Sequence, residues 1–541
     1  MSAPFVTSPP IVFSLKNPYG ACRHRPVKVE VFNHQAEEGT VNKNIILLSD
    51  GTGNGAAKRN KTNVWRLYDA LDLHRDDQIA FYDDGVGSKE FLPFKLLGGA
   101  FGWGLKRNVR RLYKFLCRTY KSGDRIYLFG FSRGAFTVRM LAGMIDYCGV
   151  YTDYRNEKDL DRVARRNYNA YRSRFKRGLL TRGIRAFMGR SDPETPRHRP
   201  EIEFIGVWDT VDAYGFPMDE LAMIWDYLIY PIYFPNYRLS DKVKKACHAV
   251  SVDDERHSFH PVLWDESAET DPSRIEQVWF PGVHSDVGGG YPRHPLSLVS
   301  LDWMIAKTEA RKPDIGSPGL HLIEQRREEY IKHSDWHGPQ HDSRALAGAY
   351  YRYKPRDIES LCNDRKSDVH IRSPKIHRSV MERIAGNVVP YAPAGLPGQY
   401  TVVTTRGEIP VYETPDESNQ RKAAMQSVQH LITGRRWLYF ALLTTTLGYL
   451  VSPFLLGCMD ASQCLAVNGF FDPLLEIAMK MLPDLAAPWI RVLRRSPILL
   501  YSLVVLFGSL FILKARTWTK TEELAAGAWG VLKKKSLTHI G

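Results

Sequence analysis

Nine residues, YLFGFSRGA from Tyr127 to Ala135, limit what this chain can fold into more than any other stretch. An apolar run (Ile126, Tyr127, Leu128, Phe129) enters Gly130-Phe131-Ser132-Arg133-Gly134. A helix-like pattern follows at once (Ala135, Phe136, Val138, Met140, Leu141, Met144). Strand, G-x-S-x-G, helix is the setting of a nucleophile elbow. The serine takes a strained backbone at a sharp turn, and the flanking glycines leave it room. Its hydroxyl then stands clear of the sheet. The amide of Arg133 falls at a helix N-terminus, where negative charge is stabilised. The motif therefore predicts Ser132 as a nucleophile and the Arg133 amide as an oxyanion donor.

The rest of the first 300 residues alternates strand and helix patterns. Strands are predicted at Asn44–Ser49, Ile79–Tyr82, Ile202–Val207 and Ile275–Phe280, with helices over 61–73 and 105–120. Such alternation predicts an α/β fold: a mostly parallel, α/β-hydrolase-like sheet with helices on both faces. Catalytic groups should then gather at the carboxyl ends of the strands. The strand at 202–207 runs into Trp208-Asp209-Thr210-Val211-Asp212, and the strand at 275–280 into a Gly-rich loop carrying His284. Ser132, Asp209 and His284 follow the order nucleophile, acid, base of an α/β-hydrolase. Asp212 is the second candidate acid, and Asp286 is expected to brace the histidine loop. After the first strand comes Asp50-Gly51-Thr52-Gly53-Asn54. No G-K-[ST] follows, so a P-loop is excluded. Two readings stay open there: the Thr52 amide as second oxyanion donor, or a tight turn with Asp50 as helix cap.

Two stretches read as insertions in a catalytic domain spanning 43–397. Residues 151–200 are rich in arginine, with Arg162, Arg165, Arg166, Arg172, Arg174, Lys176, Arg177, Arg182, Arg185 and Arg190 clustered. They form either a solvated helical insertion or a surface for anionic lipid headgroups. Residues 216–246 contain the apolar segment LAMIWDYLIYPIYFP, read as core or as a lid over a greasy substrate. Residues 1–42 are a Pro-rich arm, and 398–433 read as a linker with a short hairpin at 400–411. Beyond it lies a membrane region, 434–541. Apolar runs at about 437–456 and 496–513, flanked by arginines and lysines, predict two transmembrane helices. Asp472, Glu476 and Lys480 recur every four residues between them, as in an amphipathic helix lying in the interface.

A formal charge of +15 calls for an anionic partner. No nucleic-acid-binding motif is present, which leaves an anionic lipid surface rather than nucleic acid. The seven cysteines include no C-x-x-C pair, so no metal site is expected, and no cofactor. Cys458 and Cys464 lie in the segment joining the two spans, where an oxidising compartment would let them pair. The opening stretch MSAPFVTSPP lacks basic and apolar signal regions, so no Sec signal is expected.

Seven motifs occur in one order: DGTGN (50–54), TNVWRL (62–67), GVG (85–87), GGAFGWGL (98–105), GFSRGA (130–135), GVWDTV (206–211) and PGVHSDVGGGY (281–291). Together they resemble the α/β-hydrolase domain of the first class of type VI secretion phospholipase effectors, the Tle group, over roughly residues 40–397. The resemblance implies a serine esterase or phospholipase A acting on membrane glycerophospholipids, with Ser132 as nucleophile, Asp209 as acid and His284 as base. It also implies an antibacterial effector with an immunity or secretion carrier partner. The expected location is a bacterial inner membrane, reached through the two C-terminal spans or by type VI secretion. Gly53 departs from the family, many of whose members carry a large aromatic there. Two rival functions remain. One is a metal-dependent phosphoesterase built on Asp50, Asp83, Asp84, His284 and Asp286. The other is a membrane-anchored binding protein on a hydrolase scaffold.

Overall fold

A computed structural model describes residues 42–51, 58–85, 99–174, 193, 198–211, 237–309, 319–365, 367–386, 391, 393–464, 467 and 469–529. Asn42–Gly541 makes one compact unit. The 1–42 arm, except Asn42, lies outside the described residues, as do Thr52, Gly53, Asp212, the apolar segment 221–235 and the basic residues 176–190.

The sheet strands are β1 Asn44–Ser49, β2 Gln78–Asp83, β3 Arg125–Phe131, β4 Ile202–Trp208, β5 Val243–Ser251, β6 Ile275–Phe280, β7 Lys375–His377, β8 Gln399–Thr404 and β9 Gly407–Tyr412. Their spatial order is β9-β8-β7-β6-β5-β4-β3-β1-β2. All pairs are parallel except the β8–β9 hairpin at one edge. The expected α/β class therefore holds.

Side chains alternate across this sheet, and both faces are covered. Ile45, Leu47, Ile126 and Leu128 enter one cluster with helices α1 Gly99–Thr119, α2 Arg133–Cys148 and α3 Glu157–Ser173. Ile46, Leu48, Tyr127 and Phe129 enter the other, with helices α4 Asn63–Ala70 and α5 Pro295–Glu309. At about 25 cal/mol per Å² of apolar surface, this two-sided burial is the main term holding the strands in register.

Three expectations change. Strand β5 was not anticipated, and its first residues fall inside the stretch read as a lid insertion (216–246). Its pattern, VKKACHAVS, uses small and polar residues where buried strands usually carry Val or Ile. The hairpin expected in the linker extends the main sheet through β8, so the catalytic layer runs past residue 397. The polar stretch from Pro415 is the opening of a 41-residue helix, α6 Pro415–Leu455, and not a linker. Thr414 and Glu417 close a capping box there, which satisfies the first amides and favours helix over coil.

The C-terminal region continues with α7 Asp472–Met481, α8 Ala487–Arg495 and α9 Pro497–Ala528. Helices α6 and α9 are both long and apolar enough to cross a membrane, by length and composition. Arg491, Arg494 and Arg495 lie in the segment joining the two long apolar helices. All three are consumed locally: Arg491 donates to the carbonyls of Cys458 and Met459, Arg494 pairs with Asp472, and Arg495 donates to the Leu456 carbonyl. Cys458 and Cys464 form a disulfide in that loop.

Candidate active site

The elbow forms as its spacing requires, with the strain on the serine and the room supplied by the glycines, as expected. Ser132 itself carries the left-handed backbone, φ 57°, between β3 and α2. Holding a non-glycine residue there costs on the order of 1 kcal/mol or more. The glycines are needed for close approach. A Cβ on Gly130 would stand 2.6 Å from the Ala135 nitrogen, and one on Gly134 only 2.1 Å from the Ser49 carbonyl oxygen. The turn is thus pressed against the carboxyl end of β1. The Ser132 amide donates to the Trp208 carbonyl at 3.0 Å, which ties the elbow to β4. Strand order reverses between β1 and β3, so Ser132 stands at the topological switch point, where open α/β sheets take their ligands.

Three strand ends converge on one hydrogen-bonded chain. Ser132 Oγ lies 2.8 Å from His284 Nε2, and His284 Nδ1 lies 2.5 Å from Asp209 Oδ2. Asp209 is fully buried and accepts only, so Nδ1 must carry the proton and Nε2 accepts from the serine hydroxyl. Asp209 also has a left-handed backbone, φ 38°, and its amide donates to the Ala249 carbonyl of β5 at 2.7 Å. His284 does not sit on a flexible loop, as its glycine neighbours suggested. It opens a five-residue helix, His284–Gly288, and its amide donates to Asp254 Oδ2 at 3.1 Å. Phe131 lies against the imidazole face at 4.6 Å between centroids, and Phe259 meets it edge-on at 4.9 Å.

Burial depresses the His284 pKa below the usual imidazole value, and the Asp209 hydrogen bond and charge only partly oppose this. Burial alone would raise Asp209. The Arg356 charge, with hydrogen bonds from His284 and Arg356, outweighs it and holds the carboxyl far below the ordinary range. Arg356 was missed from sequence. Both of its Nη atoms reach Asp209, at 2.6 Å to Oδ1 and 2.8 Å to Oδ2. It sits in an irregular stretch, Tyr353-Lys354-Pro355-Arg356, and a lone basic residue there gave no signal. The second missed element is Asp253-Asp254, just after β5. Asp253 accepts from the Gly282 amide and Asp254 from the His284 amide, so this pair seats the histidine turn.

The remaining predicted residues sit as follows. Arg133 opens α2, with its amide in the first helical turn. Thr52 lies outside the described residues. Asp50 is no helix cap. Its carboxylate accepts from Tyr82, Thr62 and the Gly51 amide, and Thr62 caps α4. Asp286 braces the histidine turn as expected, accepting from the Val283 amide and from His341. In the TNVWRL motif, Asn63 donates to the Val287 and Ser297 carbonyls and so supports the same turn from below. The phosphoesterase candidates have other partners. Asp50 turns to Tyr82, Asp83 to Arg111, Asp286 to His341 and His284 to Asp209. Among the described residues, no group of three or more His, Cys, Asp or Glu is arranged to hold a metal ion. In the basic insertion, Arg172 is buried, whereas Arg162, beside Asp159, and Arg165 and Arg166 are exposed.

Residues 43–307 match the family described as "T6SS, Phospholipase effector Tle1-like, catalytic domain", so the resemblance carried by the motifs holds over that segment. An uncharacterized protein of Saccharomyces cerevisiae, YEL023C, is 29% identical over 231 residues, 40% of this chain and 32% of that protein. The match thus spans about a third of the length of that relative. Among solved structures, an uncharacterized protein from Pseudomonas aeruginosa aligns over 83% of this chain and 64% of its own, at 17% identity. The Tle1 effector bound to the VgrG spike of the type 6 secretion system aligns over 47% of this chain and 52% of its own, at 19% identity. Both have TM-scores of 0.26, too low for either likeness to carry an argument.

Proposed function

We propose that residues 43–307, the segment matching the Tle1-like catalytic domain, work as a serine hydrolase on carboxylic esters of membrane glycerophospholipids. The observation that carries this reading is the unbroken chain from Ser132 Oγ through His284 to Asp209, at 2.8 and 2.5 Å, beneath a strained elbow. Nucleophile and base within hydrogen-bond reach, with the base oriented by a third group, is the arrangement acyl transfer needs.

His284 Nε2 takes the Ser132 proton as Oγ attacks the ester carbonyl. Charge on the carbonyl oxygen is met by the Arg133 amide at the start of α2, with the Thr52 amide as the proposed second donor. The imidazolium passes its proton to the departing alcohol oxygen, leaving an acyl-serine. Water then attacks, His284 removes its proton, and the carboxylic acid departs as Ser132 regains its hydrogen. Asp209 keeps the Nδ1–H tautomer and balances the transient positive charge.

The lipid substrate is inferred from the family match together with the two apolar C-terminal helices. Helices α6 and α9 would hold the catalytic sheet beside a bilayer. An effector role, with a secretion carrier or an immunity protein as partner, belongs to the same reading. The test is fatty-acid and lysolipid release from phosphatidylethanolamine and phosphatidylglycerol vesicles by wild type and Ser132→Ala, followed by mass spectrometry. Release that persists in Ser132→Ala contradicts the proposal. Which lysolipid accumulates identifies the bond that is cut.

A further inference from the structure

The triad acid carries a second partner besides His284. Arg356 is buried with its fork closed on Asp209, Nη1 on Oδ1 and Nη2 on Oδ2. The remaining Nη contacts are the Ser251 carbonyl and hydroxyl at the end of β5, and the Phe259 carbonyl. Phe259 is the ring set edge-on to His284. One guanidinium therefore touches the acid, the strand end beside it and the residue walling the base. A carboxylate on a left-handed residue can rotate about its side-chain bonds. A planar fork bound to both oxygens stops that rotation, and a single ammonium would not. Oδ2 is then aimed at His284 Nδ1 before substrate arrives.

We propose that Arg356 is a positioning residue for the proposed hydrolysis: it fixes the Asp209 carboxylate so that His284 keeps the orientation and tautomer needed to accept the Ser132 proton. This rests on the serine-hydrolase reading above and extends it by one residue.

Arg356 is held where it is by its own segment. Arg256 and Tyr353 form an antiparallel bridge, flanked by the Lys354 amide on the Glu255 carbonyl at 2.8 Å and the His257 amide on the Arg352 carbonyl at 3.0 Å. The same segment sends Tyr353 to Arg435 of helix α6 at 2.8 Å. The charged groups facing the pair are few. His284 sees Asp209 from the end of β4, and Asp254 and Arg256 from the turn after β5. Asp209 sees Arg356, His284 and, from β5, His248.

Removing the guanidinium makes Asp209 a stronger acceptor and lets it rotate, which raises the affinity of His284 for its proton. The experiment uses the full chain in detergent micelles, with a fluorophosphonate probe and a short-chain ester, on wild type, Arg356→Met and Arg356→Lys. Thermal unfolding of each variant establishes folding. Expected for Arg356→Met is a fall in kcat on the order of 10²-fold with KM little changed. The acid limb of the kcat/KM profile should move to higher pH. Added guanidinium salt should partly restore the rate. Arg356→Lys, which keeps the charge, should lose less and decides the matter if Arg356→Met does not fold. If wild type labels at Ser132 while Arg356→Lys shows unchanged kcat and an unshifted limb, the Arg356 role is overturned and the serine reading survives. If wild type does not label at Ser132, both fall together.

Discussion

Leu48 in β1 and Val505 in α9 are both branched aliphatic residues, yet the first is 0% exposed and the second 67%. The catalytic sheet and the C-terminal helical pair differ this way at many positions. Ile46, Leu128, Phe129 and Val207 are covered by helices on either face, whereas Leu450, Phe454, Val504, Phe511 and Ile512 stand open. Burying such a side chain is worth about 1.5–3 kcal/mol, which the proposed bilayer would supply for these helices. The sheet finds its apolar phase within the chain, and the proposed membrane setting would supply one for the helical pair. The two regions are nonetheless joined by few polar links. Arg435 binds Glu255 at 3.0 and 2.9 Å, Tyr350 meets Thr446, and Lys514 reaches Asp342 and the Arg344 carbonyl. Glu255 follows Asp254, which seats His284, so the join lies next to the chemistry.

The comparison makes the regions separable by mutation. Ser132→Ala should remove ester hydrolysis by on the order of 10⁵-fold while leaving membrane retention and thermal stability unchanged, as read by fatty-acid release and carbonate extraction. Val505→Arg should do the reverse. A charge near the middle of α9 costs roughly 2.5–3.5 kcal/mol of insertion, so the retained fraction should drop while short-chain ester hydrolysis in detergent stays intact. Equal loss of both properties in either variant would break the comparison. Arg435→Met probes the join, because it removes the cation hydrogen-bonded to Glu255 and leaves Arg344 near it; a destabilisation of about 3 kcal/mol is expected in denaturant unfolding. Replacing both Cys458 and Cys464 by serine opens a short loop far along the chain from the triad. The expected loss is about 2 kcal/mol for the C-terminal region, with no change in turnover. The smallest effect is the pH profile. Protonated His284 cannot accept the serine proton, so the rate should rise with pH through the His284 pKa. Burial lowers that value, so the midpoint should fall below the ordinary histidine value of about 6.5. Asp209, already ionised far below, should add no second limb.

Much of the catalytic layer could be read from sequence because its elements obey strong local rules. Asn44–Ser49 ends at Asp50-Gly51 and Ile275–Phe280 at Pro281-Gly282, and both strands appear with those limits. Ser132, Asp209 and His284 each close a strand, and a parallel sheet must bring such ends to one rim. What failed to show had no local rule. Strand β5 hides behind Lys244, Lys245 and His248, residues that a pattern search discounts. Its burial comes from neighbours on both sides, β4 and β6, which the sequence does not announce. Arg356 is one arginine among many, made special only by folding against Asp209 from 147 positions away. The polar start of α6 looked like a linker because its helical content rests on a capping box and not on apolar periodicity.

The most direct measurement is mass-spectrometric mapping of a fluorophosphonate adduct on the full-length chain, read beside phospholipid hydrolysis. The account predicts a single adduct on Ser132, absent in His284→Ala, with hydrolysis lost in step with labelling. Hydrolysis that survives complete modification of Ser132, or an adduct on another residue, would contradict it.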